Sequence, residues 1–181
     1  MENGKLTRID TELFFKKIEK YEIAPPTDEE RMALALELAQ KAADIDEVPV
    51  GAIIVCKDRI IAKAYNMREH SLCATHHAEV LAIEEACRAL GGWRLPLCTL
   101  YVTMEPCVMC AGALINARVQ RVVYGARDLR FGALGSLIDV STAGFNHSLE
   151  IRGDVLGAEC RAMLTDYFKE KRDKKTHAEL F

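Results

Sequence analysis

Two short motifs bring together residue types that bind zinc and one spare carboxylate. The first, HAE, begins at His77 and ends at Glu79, and the second, PCVMC, contains Cys107 and Cys110. A structural zinc site takes four ligands from the protein, whereas a catalytic site takes three and keeps one position for water. We therefore expect His77, Cys107 and Cys110 to hold one Zn²⁺ per subunit, with Glu79 as the group that moves protons.

The spacing of the two cysteines indicates how both sulfurs could reach one ion. An apolar run predicts a helix over residues 107–117, with Pro106 where the start of a helix tolerates proline. Cys107 and Cys110 then share one helix face, because residues at i and i+3 are neighbours. The free amides and the positive dipole at a helix start also favour the thiolate, which is the form that binds metal.

A second helix is predicted over residues 77–90, with Thr75 as its N-cap. Its start would bring His77 to the same ion. Glu79 is two residues further along, so its side chain points about 200° around the helix axis from His77. This offset suits a base that lies beside the metal.

Simpler interpretations of these residues stay open. A CxxC pair can be a redox pair and HxE alone means little, but in this order, with Pro106 before the first cysteine, they match the known signature of zinc nucleobase deaminases. Spacing to Glu79 favours His77 over His76, which could touch RNA or lie at the surface. Cys73 could be a fourth ligand, which would close the site and prevent catalysis.

The length and composition of the chain favour one globular domain, because it has 181 residues and half of them are hydrophobic. No segment resembles a signal peptide or a membrane span, so we expect a cytoplasmic protein without a membrane partner. In that reducing compartment the seven cysteines would be thiols or metal ligands. Four of them lie in apolar segments and are expected to be buried small hydrophobes: Cys56, Cys87, Cys98 and Cys160.

The net charge of −3 argues at first against a nucleic-acid partner, but the distribution of charge allows one. Residues 161–175 contain six basic and three acidic side chains. Four arginines form a second basic group: Arg118, Arg121, Arg127 and Arg130. Such groups permit local phosphate contacts. A charged C-terminal helix can equally be only a solvated face.

The chain divides into an appended segment (residues 1–26), a domain (residues 27–175) and a tail (residues 176–181). The appended segment contains an amphipathic stretch over residues 11–21 and ends in APP, which stops a helix. In the domain, helices and strands alternate, which predicts an α/β sheet with helices on its faces. The further predicted elements are a helix from a capping box at Thr27 to about residue 43, strands at 50–56, 60–65, 99–103 and 121–124, a loop at 125–136 and a closing helix at 156–171.

Four stretches of the domain resemble the bacterial tRNA-specific adenosine deaminases: residues 47–52 (EVPVGA), the HAE motif, residues 100–113 (LYVTMEPCVMCAGA) and residues 125–128 (GARD). The resemblance implies a cytidine-deaminase-like fold, which is a three-layer α/β/α sandwich with a central mixed sheet of about five strands. It also implies a homodimer that hydrolyses the wobble adenosine, nucleotide 34, of a tRNA anticodon stem-loop to inosine and ammonia.

The same resemblance assigns roles to two further residues. Asn66 would hold the base, since a carboxamide can both donate to and accept from a purine edge, although alone it is equally a turn residue. Asp128 matches a position near the nucleic-acid backbone, but on composition it is equally a solvated loop carboxylate. Phe131 departs from the family, whose members often have a small or polar residue there, so the contacts of this loop with RNA could differ.

Two rival functions remain. A zinc deaminase of a free base or nucleoside, such as guanine, cytosine or cytidine, would share the fold, the zinc and Glu79. A non-enzymatic structural zinc module would instead have four protein ligands and no need of Glu79.

Overall fold

A mixed sheet of five strands forms the centre of the protein, in a computed structural model that describes residues 16–178 and the side chains of residues 16–174. The strands are β1 (Gly51–Cys56), β2 (Arg59–Tyr65), β3 (Cys98–Met104), β4 (Arg121–Ala126) and β5 (Glu150–Arg152). Their order across the sheet is β2-β1-β3-β4-β5. Strand β1 is antiparallel to β2 and β3, whereas β3, β4 and β5 are parallel.

Helices cover both faces of this sheet. Within the described residues they are α1 (Asp28–Asp44), α2 (Ala78–Leu90), α3 (Val108–Asn116) and α4 (Gly157–Ala178). Helices α2 and α3 pack on one face and α1 and α4 on the other, because the buried side chains form two clusters. Strand β1 contributes alternately to both, with Ala52 and Ile54 in the first cluster and Ile53 and Val55 in the second. The expected three-layer α/β/α sandwich is confirmed.

Helix α1 lies directly against the start of β1. A methyl group at Gly51 would overlap the backbone of Ala35 and lie 2.5 Å from the Ala39 nitrogen, so this close approach requires glycine. The helix begins with the predicted capping box, in which the side chains of Thr27 and Glu30 each accept the other's backbone N–H.

The first residue of α1, Asp28, connects the helix to three strands. Its carboxylate accepts hydrogen bonds from the Tyr101 hydroxyl at 2.7 Å, from the Arg121 guanidinium at 2.8 and 2.9 Å, and from Arg152. These donors, Arg121 above all, hold the pKa of Asp28 well below its usual range although burial opposes the shift. The network fixes the N-terminal end of α1 against β3, β4 and β5.

The strand directions bring several chain segments to one end of the sheet. Strands β2, β3 and β4 end there and β1 begins there, since Gly51 pairs with Tyr65 and Met104 pairs with Ala126. The N–H of Glu105 then donates to the Ala126 carbonyl at 2.8 Å, so the segments that follow β3 and β4 stay adjacent. Ligands bind at this kind of position, outside the carboxyl ends of parallel strands.

The described part of the N-terminal segment, residues 16–26, packs along the edge strand β2. The N–H of Ile60 donates to the Glu22 carbonyl at 2.9 Å, and the N–H of Ala24 donates to the Asp58 carbonyl at 2.7 Å. Residues 1–15, with the start of the predicted amphipathic stretch, and residues 179–181 of the predicted tail lie outside the described residues. The division at residues 26 and 175 therefore stays a prediction.

Two helix starts differ from the prediction by one residue. Helix α2 begins at Ala78 and α3 at Val108, because His77 and Cys107 are N-caps with extended backbone. Thr75 is therefore not the N-cap of α2; its carbonyl accepts the His77 N–H at 2.8 Å in a tight turn. Likewise, Pro106 precedes the N-cap and does not occupy the first helical position.

Other boundaries also move. The sequence does not predict β5, because a polar–apolar–polar run of three residues is too short to indicate a strand and only its middle residue is partly buried. Strand β4 continues through two residues of the predicted loop, and α4 extends to Ala178 instead of ending near residue 171. Among the described helices, none is long and apolar enough to cross a membrane.

Candidate active site

Three potential metal ligands meet where α2 and α3 begin. The Nδ1 atom of His77 lies 3.5 Å from the Cys110 sulfur and 3.8 Å from the Cys107 sulfur. His77 and Cys107 are the N-caps of their helices, and Cys110 lies in the first turn of α3. The two motifs, which are separate in sequence, thus present one nitrogen and two sulfurs to a single point.

The spacing of these atoms fits a zinc ion. Bond lengths of about 2.0 Å to nitrogen and 2.3 Å to sulfur place tetrahedral ligands about 3.5–3.8 Å apart, which are the separations observed. Within the described part of the chain, no other His, Cys, Asp or Glu joins the group whose ligand atoms lie within 4.8 Å of one another. The donor set is therefore three protein ligands, which is the number of a catalytic site.

The two cysteines of the cluster differ in their readiness to ionise. The pKa of the Cys107 thiol falls to about 4, mainly because it is hydrogen-bonded to Cys110 and also because His77 lies beside it. The pKa of Cys110 is raised by the same hydrogen bond with Cys107 and by burial, and that of His77 is raised by its contact with Cys107. Cys107 is a thiolate in this arrangement, as a metal ligand must be.

Glu79 lies in the first turn of α2, beside the cluster and outside its ligand set. The residue is only 4% exposed. Burial raises the pKa of its carboxyl, and its side chain also interacts with the Cys110 thiol. A carboxyl group next to a metal position and inside a cavity has the placement of a general acid–base.

A cavity of about 370 Å³ opens beside these residues. This volume lies in the range of small-molecule sites, about 300–1,000 Å³. All of the predicted site residues except Cys110, which is buried behind the wall, line it: Asn66, His77, Glu79, Cys107 and Asp128. The remaining lining residues are Val48, Val50, Arg68, Met104, Glu105, Arg130, Phe131 and Phe168.

Asn66 follows β2 directly and is buried. Its Nδ2 donates to Glu47 Oε2 at 2.8 Å, while Glu47 Oε1 accepts the backbone N–H of His70 at 2.7 Å. Glu47 itself is completely buried. Sequence reasoning missed this residue as part of the site, although it begins the EVPVGA stretch that carries the family resemblance.

Asp128 follows β4 in the loop that closes the cavity. Its Oδ1 accepts the Arg130 N–H at 2.9 Å, which is the turn-forming role of an ordinary loop carboxylate, but the residue is buried and lines the cavity. Its own N–H donates to Glu105 Oε2 at 3.2 Å. Sequence reasoning also missed Glu105; the available signal was its place directly before Pro106 in the cysteine motif.

The structure separates His76 and Cys73 from the ligand cluster. His76 Nδ1 lies 2.8 Å from the Ser71 hydroxyl, and the Cys73 sulfur lies 3.3 Å from the Thr75 hydroxyl. Neither belongs to the described group of possible ligands, so His77 is the histidine that the fold brings to the cysteines.

Two expectations about residue groups need correction. Cys56, Cys98 and Cys160 are buried as expected, but Cys87 is only partly buried because it lies near the exposed end of α2. The four arginines do not form one basic group. Arg121 binds Asp28, Arg127 pairs with Asp154 at 2.9 Å, Arg118 donates to the Ile115 carbonyl, and Arg130 lines the cavity.

Sequence comparison identifies the family of the chain. The profile of the MafB19-like deaminases matches residues 27–172. The chain belongs to this deaminase family. A tRNA-specific adenosine deaminase of Bacillus subtilis is 48% identical to it over 152 residues, which cover 83% of this chain and 94% of the relative. A protein of the same name from Haemophilus influenzae is 41% identical over 82% of this chain and 87% of its own length. The resemblance inferred from the motifs is confirmed.

Solved structures of other deaminases have the same fold as this chain. One, from a study of A-to-I editing by tRNA:A34 deaminases at the wobble position, has a TM-score of 0.69 and 40% identity, over 74% of this chain and 97% of its own. The guanine deaminase from Nitrosomonas europaea has a TM-score of 0.70 and 27% identity, over 86% of this chain and 91% of its own. The fold is thus shared by deaminases of different substrates, and the identity is higher to the tRNA enzyme.

Proposed function

We propose that this deaminase converts the wobble adenosine, nucleotide 34, of a tRNA anticodon stem-loop to inosine by hydrolysis. One observation carries the proposal: the His77, Cys107 and Cys110 cluster, Glu79 and Asn66 meet at one cavity in a chain that is 48% identical to a tRNA-specific adenosine deaminase. The reaction consumes one water and releases one ammonia.

The cofactor we propose is Zn²⁺, one per subunit, held by His77, Cys107 and Cys110. The ligand types and their separations support this choice. When bound, zinc makes water acidic enough to serve as a nucleophile near neutral pH. Cys73 would not complete the coordination, since its sulfur is engaged with Thr75.

Glu79 would carry the protons of the reaction. Its carboxylate takes a proton from the attacking water and passes it to N1 of the purine while the oxygen adds to C6. The second proton of the water reaches the amino group by the same carboxylate, the C6–N bond breaks, and ammonia leaves. Glu79 ends in the state in which it began, as a catalyst must.

Asn66 would orient the base. One N–H of its carboxamide is used by Glu47, so the carbonyl oxygen and the second N–H remain for the edge of a purine. Asp128 also lines the cavity, and we retain it as a contact of the nucleotide while its Oδ1 also shapes the loop.

The surroundings of the cavity support an RNA substrate over a free base. Arg68, Arg130 and Phe131 stand at the cavity, where they could meet phosphates and unpaired bases. A second groove of about 690 Å³ shares Val48 and Phe168 with the cavity and is lined by further residues of α4. A single nucleobase would leave this groove empty, whereas the splayed nucleotides of an anticodon loop could extend into it.

A homodimer in the cytoplasm is also part of the proposal. Three large apolar side chains near the cavity are exposed, as at protein interfaces: Val108, Leu137 and Ile138. They belong to neighbouring backbone, because Cys107 pairs with Gly132, and the N–H groups of residues 137 and 138 donate to the Gly132 carbonyl. Thiolate ligands are maintained in a reducing compartment, where tRNA is also available.

The deciding experiment is inosine mapping of an anticodon stem-loop after incubation with the zinc-loaded protein. We expect inosine at nucleotide 34 alone, and none when that nucleotide is guanosine. Free adenine, guanine, cytosine and cytidine, tested in parallel for ammonia release, should be inert. Ammonia from one of these compounds without inosine in the RNA would replace this function by that of a deaminase of a free base or nucleoside.

A further inference from the structure

Glu105 lies between β3 and Cys107, inside the protein, and is 3% exposed. Its carboxylate accepts three backbone N–H groups: Oε2 from Asp128 at 3.2 Å, and Oε1 from Leu134 and Ser136 at 3.0 Å each. A buried carboxylate requires donors, and here all three belong to one loop, residues 127–138, which we name the cavity loop. Glu105 therefore holds both ends of this loop.

The backbone of the cavity loop passes closest to the carboxylate at Gly132. A methyl group there would lie 2.4 Å from the Asp128 carbonyl oxygen and 2.6 Å from Glu105 Cδ and Oε2, so only glycine fits between the backbone of the loop and the carboxylate. The Gly132 N–H donates to the Asp128 carbonyl at 2.9 Å, and the Ala133 N–H donates to the Pro106 carbonyl at 2.9 Å. The loop is folded over Glu105 as one unit.

Between these attachment points the loop presents two side chains to the cavity, Arg130 and Phe131. Phe131 is 66% exposed and its neighbour Leu129 is 75% exposed, so this part of the loop packs little against the domain. Its position thus depends on the bonds at its ends. Glu105 is hydrogen-bonded to the cavity loop, and Cys107, two residues further along the chain, belongs to the ligand cluster.

We propose that Glu105 is a positioning residue, which holds Arg130 and Phe131 at the mouth of the cavity and thereby sets the affinity for the RNA around the target adenosine. The RNA part of this inference rests on the proposed function. The loop part rests only on hydrogen bonds and can be tested without substrate.

The first test is hydrogen exchange of the zinc-loaded Glu105→Gln variant. Glutamine offers one acceptor oxygen and an amino group, so at least one of the three N–H donors loses its partner. We expect the amides of Asp128, Leu134 and Ser136 to exchange about tenfold faster or more, while those of β1 stay unchanged. Unchanged loop exchange, or equal acceleration in β1, would overturn the positioning role.

The second test is steady-state deamination of an anticodon stem-loop by the same variant. A displaced loop should raise KM about tenfold and leave kcat within about twofold, with zinc content unchanged. A fall in kcat at unchanged KM, or loss of zinc, would show that Glu105 acts on the metal centre and not through the loop. If the unmodified protein does not deaminate the RNA, the proposed function fails, and the exchange experiment still decides the positioning role.

Two further variants separate the contact from a general loss of stability. Gly132→Ala would clash with the Asp128 carbonyl and with the same carboxylate, so it should displace the loop and reproduce the rise in KM, and combined with Glu105→Gln it should add little. Ser136→Ala keeps the backbone N–H and removes a hydroxyl that makes no hydrogen bond among the described residues, so it should behave as the unmodified protein. Additive effects in the double variant would contradict a shared contact.

Discussion

Glu47 and Asn66 form a buried hydrogen bond that determines which way the Asn66 carboxamide faces. The bond joins Asn66 Nδ2 to Glu47 Oε2 at 2.8 Å, and Glu47 is fully removed from solvent. Because a carboxylate accepts only, the amide nitrogen must point toward Glu47. On the proposed function, a base in the cavity would meet a carbonyl oxygen and one N–H in a fixed arrangement.

Replacing Glu47 with glutamine should weaken this arrangement. The glutamine side chain would have a single acceptor oxygen for two donors, Asn66 Nδ2 and the His70 N–H. We expect kcat/KM for the stem-loop to fall about tenfold, since a hydrogen bond to a charged group contributes about 1.5–3 kcal/mol. Glu84→Gln, at a half-exposed position of α2, is the control and should change nothing. An unaltered kcat/KM in Glu47→Gln would show that Asn66 is oriented by other contacts.

Glu79→Gln tests the proton carrier. Glutamine has nearly the same volume as the buried glutamate, so the fold and the zinc content should be retained. The chemical step should slow by about 10²–10⁴-fold, because proton transfer by a positioned side chain contributes that much. Single-turnover inosine formation measures it, with Glu84→Gln from the same helix as the comparison. Turnover equal to that of the unmodified protein would exclude Glu79 as the carrier.

Cys107→Ser and Cys73→Ser together test the ligand set. The first should lose zinc and lower Tm, because metal binding contributes to the stability of a fold and the ion would join the starts of two helices. The second should retain one zinc per subunit and full activity, since its sulfur lies with Thr75 outside the cluster. Zinc analysis of both purified proteins gives the answer. Loss of zinc from Cys73→Ser would mean that four side chains bind the ion.

Asp28→Asn should lower the free energy of unfolding and should make it depend less on pH in the acid range. The pKa of Asp28 is depressed in the folded protein. The stabilisation of the fold by this carboxylate is therefore complete above the unfolded pKa of about 3.9, and it is lost as the pH falls from there toward the folded pKa. At pH 7 the variant should unfold with about 2 kcal/mol less free energy, because hydrogen bonds from Arg121 and Arg152 lose their charged acceptor.

Urea unfolding between pH 7 and pH 3 measures this difference, and the contribution of zinc cancels when variant and unmodified protein are compared at each pH. The difference in the free energy of unfolding between the two proteins should be constant above about pH 5 and should become smaller below pH 4. Asp58→Asn, which removes an exposed ion pair with Arg59, should leave stability within about 1 kcal/mol. A gap that stays constant down to pH 3 would contradict the depressed pKa.

The residues of this site that lie within short sequence motifs can be predicted from the sequence. The two cysteines are three residues apart at a helix start, and the histidine precedes its helix, so the chemistry of the ligands is present within short windows around Cys107 and His77. Asn66 directly follows a strand whose pattern is clear. These are the features for which sequence periodicity and residue type are sufficient.

Glu47 and Glu105 were missed because their partners are distant along the chain. Glu105 bonds to backbone N–H groups 23 to 31 residues further on, and Glu47 bonds to a side chain 19 residues further on. Backbone donors carry no residue type that a sequence pattern could show. The short strand β5 was missed for a related reason. It forms by pairing with β4, and this pairing cannot be read from the sequence of β5 itself.

The two borders of the sheet limit how another molecule can attach to this protein. Along β2, the Glu22 carbonyl accepts the Ile60 N–H and the Glu85 carboxylate accepts the Lys63 N–H, and on the opposite side β5 is only three residues long. Neither border leaves a long row of open backbone groups, so growth of the sheet from one copy into the next is disfavoured. A second copy would therefore have to attach through side chains, such as the exposed apolar groups of Val108 and Leu137.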